Sequence, residues 1–319
     1  MSEFELIDII RTHCAIARDD VRLGIGDDAA ILTVPANHQL VVSTDTLVSG
    51  VHFPETTQAA DIGWKSLAVN LSDLAAMGAT PAWATLALTL PVPDRRWVEA
   101  FSDGFASLAR EFKLALVGGD TTQGPLSITV TVHGFVPSDA ALLRSGARVG
   151  DFLFVTGTLG DAAGGLRLMA EDGQRDDSMK ELVQRLNRPT PRVAQGLVLR
   201  GRARSCIDVS DGLLADLGHI CAASGVGCEV DVDALPTSSA LNAGFGREER
   251  RSLQLGGGDD YELCFTASEE IAAELLGDLA RSGCGATRVG RVVERSGVRV
   301  IDAAGDAVIV SSRGWEHFA

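Results

Sequence analysis

The sequence predicts an α/β (α+β) fold in two halves, each with its own core, and three observations carry that reading. Short β-rich runs are interleaved with amphipathic helical runs, without the strict strand-helix-strand alternation of a doubly wound sheet. A composition shift at Pro137-Ser138-Asp139, followed by Arg144-Ser145-Gly146 and Gly150, separates two such series. The 319 residues, 45% of them hydrophobic, suffice for two domains. The boundary falls at 137/138, giving domains over residues 1–137 and 138–319.

In the first half, Ser2-x-x-Glu5 reads as a capping box opening a helix whose apolar residues Phe4, Ile7, Ile10 and Cys14 recur at helical spacing. After the glycine-rich Leu23-Gly24-Ile25-Gly26-Asp27-Asp28 come β-rich runs over 29–34 and 40–44, with hairpin turn chemistry in Pro35-Ala36-Asn37-His38 between them. A long helix is expected over 59–77 and stopped by Gly78. It is followed by a strand over 83–90, a helix over 94–112, a short strand ending near Val117 and a strand over 127–136.

The second half restarts with a strand over 152–155 and a helix from Asp161. Helices through 178–203 are broken at Pro189 and Pro191, and Ile207-Asp208-Val209-Ser210-Asp211-Gly212 opens another. Strand-like runs recur over 229–232, 261–266, 287–293 and 298–301.

Composition narrows the function. With 28 basic against 43 acidic side chains the formal charge is −15, which argues against nucleic acid or an anionic membrane as partner. The acidic start Met1-Ser2-Glu3-Phe4-Glu5 lacks the positive charge of a signal peptide, and no apolar run nears the roughly 18 residues of a membrane span. A cytoplasmic protein is expected. The six cysteines form no C-x-x-C pair and read as buried free thiols. One tyrosine and 5% aromatic residues leave no stacking platform for single-stranded nucleic acid, so small-molecule chemistry remains.

The acids are placed unusually. Asp27-Asp28, Asp45, Asp73, Asp120, Asp208 and Asp211 keep company with Gly, Ser or Thr. Each alone reads first as a turn or N-cap residue, but together they form the oxygen-rich set that suits a hard cation such as Mg²⁺ bridging to substrate phosphates. Asp73 stands out because it lies within the alanine-rich helical run over 67–77, on one face with Ser66, Asn70 and Met77. Such a carboxylate must reach water or be neutralised by a partner.

Familiar nucleotide signatures are missing: Lys65, Lys113 and Lys180 are the only lysines, and none lies in a G-K-[ST] loop. Gly24-x-Gly26-x-x-Ala29 is followed by a β-rich run and not by a helix, so it is no dinucleotide fingerprint. Gly118-Gly119-Asp120-Thr121-Thr122 ends a short strand and Gly157-Thr158-Leu159-Gly160-Asp161 leads into a helix; both are candidates for presenting backbone N–H groups to phosphate.

Six segments in order carry a resemblance that spans nearly the whole chain. They are Gly24-Ile25-Gly26-Asp27-Asp28-Ala29-Ala30, Ser43-Thr44-Asp45-Thr46-Leu47-Val48 with His52-Phe53, residues 67–78, Gly118-Gly119-Asp120-Thr121, Asp208-Val209-Ser210-Asp211-Gly212-Leu213 and Asp260-Tyr261-Glu262-Leu263. The chain resembles the thiamine-monophosphate kinases.

That resemblance implies an aminoimidazole-ribonucleotide-synthetase-like fold, with N-terminal mixed sheets of two subunits paired into a dimer barrel and a C-terminal α/β domain closing over the nucleotide. It implies transfer of the ATP γ-phosphoryl group to thiamine monophosphate, assisted by several Mg²⁺ ions; an acceptor that needs no activation, and no evident nucleophile beside a base, make direct in-line transfer without a phosphoenzyme the expectation. Asp28, Ser43, Thr44, Asp45, Asp73, Asp120, Asp208 and Asp211 would hold the metals, with Asp45, Asp73 and Asp120 the catalytic core. Phe112, Gly119, Asp120, Arg144 and Ser210 would contact ATP, and His52, Asp259 and Trp315 the thiamine phosphate.

One departure concerns Gly257-Gly258-Asp259-Asp260-Tyr261-Glu262-Leu263, where the family commonly has Glu at the position of Asp259. The rivals are another ATP-using enzyme of the same superfamily and a non-catalytic metal- or nucleotide-binding protein. The former leans on a terminal or loop cysteine, which Gly314-Trp315-Glu316-His317-Phe318-Ala319 lacks. The latter is disfavoured by the absence of D-x-D-x-D-G calcium loops.

Overall fold

The computed structural model describes residues 2–170, 176–310 and 314–316, so His317 lies outside the described residues. Two compact units emerge, Met1–Leu74 with Ala79–Asp139, and Ala75–Gly78 with Ala140–Ala319.

In the first unit, α1 (Glu3–His13) opens with the expected capping box: Glu5 N–H donates to Ser2 Oγ at 3.3 Å, and Ser2 N–H to Glu5 Oε2 at 2.7 Å. Its buried stripe is Leu6, Ile9 and Ile10, at i, i+3 and i+4. Phe4 is 76% exposed, so the stripe begins at Leu6 and not in the first turn.

The run over 29–34 forms no hairpin with its successor. Its core, β2 (Ile31–Leu32), pairs with β1 (Val21–Leu23) in a separate ribbon. Asn37, left-handed at φ 59°, turns the chain into β3 (His38–Val48), which pairs along its length with β6 (Ser127–Pro137).

α2 (Ala59–Ala76) stops before Gly78, whose φ of 64° breaks the helix. β4 (Thr80–Leu90) leads to α3 (Arg95–Glu111), capped by Asp94, which accepts from the amides of Arg96 and Trp97. α2 and α3 cross backbone to backbone: a Cβ on Gly63 would lie 2.0 Å from the Phe101 carbonyl oxygen, and one on Gly104 1.8 Å from that of Ala60. β5 (Ala115–Gln123) is longer than expected, because Gly118-Gly119 continues the strand.

The four-stranded sheet runs β3-β6-β4-β5, with β4 and β5 parallel. One face packs against α2, where Leu74 covers Gly134. Part of the other face buries Trp83 against Phe135 beneath Val21 and Leu32 of the ribbon.

The second unit is built on a six-stranded sheet in the order β12-β9-β11-β7-β10-β8. Its strands are β7 (Phe152–Thr156), β8 (Ser205–Asp208), β9 (Gly227–Asp231), β10 (Leu263–Ala267), β11 (Ala286–Val293) and β12 (Gly297–Ile301). The helices are α4 (Asp161–Ala170), α5 (Asp177–Asn187), α6 (Val193–Leu199), α7 (Leu213–Ser224), α8 (Ser239–Gly244), α9 (Arg247–Gly256) and α10 (Glu269–Arg281). Leu153, Val155, Ile207, Leu217, Val230 and Val289 are fully or almost fully buried in its core. The prolines separate α5 from α6 as expected, whereas α8 to α10 were not anticipated: α9 buries only Gln254 and Leu255, but α10 buries Ala272, Leu275 and Leu279 at the helical spacing i, i+3 and i+7.

Five cysteines are buried and Cys284 is half-buried; none is in a disulfide. Burial pushes the Cys14 thiol up to about 12. Among the described residues no helix is long and apolar enough to cross a membrane.

Candidate active site

In the first unit the site is organised by strand alternation. Ser43 and Asp45 share the face of β3 that meets α2, and Thr44 points the other way, donating to Thr131 Oγ1 at 2.9 Å. Ser43 Oγ donates to Asp73 Oδ2 at 2.5 Å, and the Asp45 amide donates to Asn70 Oδ1 at 3.0 Å. Asn70 is fully buried and is itself held by donating from Nδ2 to the Ser66 carbonyl at 3.0 Å. The Ser66-Asn70-Asp73 face read from helical spacing is therefore the face that receives β3. Asp73 is kept in an apolar helix by a hydroxyl donor and half-exposure.

His52 lies in the turn after β3. Its Nδ1 accepts from the Val48 amide at 3.0 Å, which in the neutral ring leaves the proton on Nε2. The buried Lys65 donates to the His52 carbonyl at 3.3 Å, fixing the same turn from α2.

Register across the sheet aligns Thr46, Thr129, Ala87 and Asp120 in one row, so exposed Asp120 shares the Thr44 face and not the Ser43/Asp45 face. Gly119 before it has φ 154°, and a Cβ there would sit 1.8 Å from the Leu86 carbonyl oxygen. The glycine is required by close strand approach. Ile7, Ile10, Ile25 and Leu116 line a small apolar cleft that Gly119 and Asp120 border.

Asp28 is exposed in the glycine-rich loop, where its amide donates to Asp27 Oδ1 at 2.9 Å. Phe112 is the C-cap of α3.

In the second unit, three segments converge. The first is the loop from Asp208, buried at the end of β8, through Ser210 and Asp211 to α7. The second is 257–262: the Asp259 amide donates to the Ser210 carbonyl and the Tyr261 amide to that of Val209, both at 2.8 Å. The third is the C-terminal segment, where the Trp315 amide donates to the Asp211 carbonyl at 2.9 Å and the indole residue is 57% exposed. Ser210, Asp211, Asp259 and Trp315 are thus gathered in one place. Arg144 is exposed and its carbonyl accepts from Ser224 Oγ at 3.3 Å; the neighbouring Leu143 pairs with the start of β8 at Cys206.

Two acids of the 257–262 segment are internal. Asp260 is buried and accepts from the amides of Gly160 at 2.6 Å and Ala162 at 3.3 Å; burial raises its carboxyl well above the usual range. The Gly157–Asp161 loop, a candidate phosphate cradle from sequence, therefore spends its Gly160 amide on an internal carboxylate. Glu262 accepts from Thr156 Oγ1, from Arg185 Nη2 and from Nε and Nη2 of Arg192, at 2.5–2.8 Å.

Sequence reasoning passed over Asp216, a buried carboxylate in the first turn of α7 whose Oδ2 accepts from the amides of Ser210 at 3.0 Å and of Asp211 and Gly212 at 3.1 Å. Burial, and after it the charge of Asp211, push this carboxyl up to about 7. The available signal was the one that exposed Asp73, an acid inside an apolar helical run, here Leu213-Leu214-Ala215-Asp216-Leu217.

Among the described residues no three His, Cys, Asp or Glu side chains converge into a ready metal cage.

Both halves match one class of protein. The family model of the AIR synthase related protein N-terminal domain covers residues 26–136, and that of the C-terminal domain covers 148–303. Within the class, the thiamine-monophosphate kinase of Escherichia coli (strain K12) is 47% identical over 319 residues, 99% of this chain and 98% of its own. The crystal structure of thiamine-monophosphate kinase from Stenotrophomonas maltophilia K279a matches with a TM-score of 0.89 at 54% identity, covering 97% of this chain and 98% of its own. A structure of AaThiL complexed with AMPPCP and TMP matches with a TM-score of 0.79 at 33% identity, covering 99% of this chain and 97% of its own. The chain belongs to the thiamine-monophosphate kinase family, and it is an ATP-dependent kinase.

Proposed function

We propose that this chain phosphorylates thiamine monophosphate to thiamine diphosphate with residues 1–137 as the metal- and ATP-binding, dimerising domain, and that loops of the C-terminal α/β domain, 138–319, add further metal, ATP and substrate contacts. The observation that carries the assignment is the anchoring of β3 on α2, with Ser43 bonded to Asp73 and Asp45 bonded through its amide to Asn70. Two carboxylates are thereby held on a rigid strand-helix pair, as a site that must position phosphates requires.

The acceptor is itself a phosphate anion, so no general base is needed, and the obstacle is bringing two polyanions into line. Asp28, Ser43, Thr44, Asp45, Asp73 and Asp120, with Asp208 and Asp211, are the proposed Mg²⁺ ligands; an all-oxygen donor set fits this hard cation. Mg²⁺ when bound neutralises charge on the phosphates.

The chain's own side chains do the rest. Arg144 offers an exposed guanidinium to ATP, alongside Gly119 and Ser210. His52, with its proton on Nε2, donates toward the substrate phosphate, and Asp259 and Trp315 contact the thiamine moiety, the indole face meeting the thiazolium cation. Phe112, the C-cap of α3, is the aromatic residue proposed to contact ATP.

A homodimer is supported by β3, an edge strand with Leu40 and Val42 exposed, since such an edge is a template for a second copy. A cytoplasmic location fits the ATP requirement.

The test is a product assay with ATP, Mg²⁺ and thiamine monophosphate on wild type and Asp73→Asn. Thiamine diphosphate from wild type, and loss of roughly 10²-fold or more in turnover by a folded variant, is the expected result. Near-normal turnover in the variant overturns the site assignment.

A further inference from the structure

A helix N-terminus that follows a strand and a Gly-containing loop ordinarily offers its free amides to phosphate. The second unit has two such places, at α4 and α7, and in both the amides are already taken by a buried carboxylate of the chain itself. At α7 the consumption is the more thorough: Ser210, Asp211 and Gly212 all donate to the single oxygen Oδ2 of Asp216. The carbonyls of Val209, Ser210, Asp211 and Gly212 are also taken, by the amides of Tyr261, Asp259, Trp315 and Asp216. What the loop has left to show a ligand is side-chain oxygen, in the Asp211 carboxylate and the Ser210 hydroxyl.

We propose that Asp216 is a positioning residue that turns an anion-binding helix start into a cation-facing one, by occupying the three amides that would otherwise bind a phosphate of ATP directly. The inference rests on the reading of Asp208 and Asp211 as ligands in the kinase reaction, and it adds the reason that the loop meets phosphate only through a cation. Asp216 touches neither nucleotide nor metal; it acts through the backbone of residues 210–212. Two neighbours make its placement unforgiving. Gly212 has φ 128°, and a Cβ on Gly258 would lie 2.5 Å from the Ser210 carbonyl oxygen, so the loop has one conformation between Asp216 below and the 257–259 segment beside it. The Asp211 carbonyl, on the same peptide chain, is the acceptor for Trp315.

The prediction concerns the balance between metal and bare phosphate. In Asp216→Ala the three amides are released, so the Mg²⁺ concentration for half-maximal turnover should rise about tenfold or more. Binding of metal-free ATP, titrated in EDTA by calorimetry, should become tighter than in wild type. Asp216→Asn keeps one acceptor oxygen at the same place and should recover most of both properties, with kcat reduced less than the Mg²⁺ requirement is raised. Asp260→Ala, which frees the Gly160 and Ala162 amides at α4 where no proposed metal ligand lies, should lower the melting temperature and leave the Mg²⁺ midpoint unchanged.

A folded Asp216→Asn and Asp216→Ala pair that loses melting temperature alone, with wild-type Mg²⁺ midpoint and wild-type affinity for metal-free ATP, overturns the proposal. If Asp216→Ala does not fold, Asp216→Glu replaces it: the displaced carboxylate should raise the Mg²⁺ midpoint, and an unchanged midpoint again overturns the proposal. Failure of wild type to make thiamine diphosphate would instead strike the kinase reading, so the two failures are distinguishable.

Discussion

Replacing Glu262 by Gln should destabilise the second unit severely without touching its surface. The carboxylate is fully buried and nests on Gly157, where a Cβ would sit 2.2 Å from its Oε1. It gathers the guanidinium groups of Arg185 and Arg192 and the hydroxyl of Thr156. The amide preserves shape and one acceptor oxygen but leaves two largely buried cations facing a neutral group. Breaking a buried ion pair from one side costs about 3–5 kcal/mol, because the remaining charge is left uncompensated. The retained acceptor argues for the lower end. At about 2–4 °C per kcal/mol for a domain of this size class, the unfolding transition of the second unit should fall by about 6–12 °C. Differential scanning calorimetry without ligands measures it, and the further change Arg192→Met should restore part of the loss by removing one orphaned cation. A fall below about 2 °C for Glu262→Gln, or no recovery in the double variant, would refute the reasoning that this carboxylate holds the 257–262 segment by charge.

Trp315→Ala should weaken thiamine monophosphate binding by roughly 2- to 30-fold, from a cation–π term of about 0.5–2 kcal/mol, and leave ATP affinity nearly unchanged. Separate titrations decide it, equal losses for both ligands meaning that the indole is packing. Asp233 accepts from Arg247 at 2.7 Å and Arg251 at 2.5 Å, and these contacts hold its carboxyl down at about 2. A depressed carboxyl contributes stability above its unfolded value near 4 that is lost as pH falls through about 2. The melting-temperature gap between wild type and Asp233→Asn should therefore be full at pH 6 and close between pH 4 and 2; a gap independent of pH would count against the ion pairs.

Much of the fold was legible because local chemistry and tertiary need coincide. Gly78 stops α2 and Asp94 caps α3 for reasons visible in a few residues. The misreadings arose where a residue serves a distant neighbour. Gly119 looked like the end of a strand, yet it is glycine because the Leu86 carbonyl lies where a Cβ would be. The turn over 35–38 had hairpin chemistry, but the partner of β3 is β6, almost ninety residues on, and turn residues carry no record of that. In the site, Asp45 and Asp73 could be singled out from their surroundings, whereas the division of Ser43 and Thr44 onto opposite faces awaited the strand register. Asp259 departs from the family's commoner Glu, and the structure places it at φ 69°, a left-handed conformation that Asp tolerates better than most residues.

The segment that holds Asp259 also contains Tyr261, the single tyrosine of the chain, buried, left-handed at φ 51° and donating its hydroxyl to Asp259 Oδ1 at 3.0 Å. Nature has thereby installed one isotopically addressable reporter. Protein grown on ¹³C-labelled tyrosine would give one phenolic signal, its frequency tied to the hydrogen bond with Asp259, the residue proposed to contact the thiamine moiety. Occupancy of the proposed site, and its timing relative to nucleotide, would then be observable by magnetic resonance without a dye, a tag or a mutation.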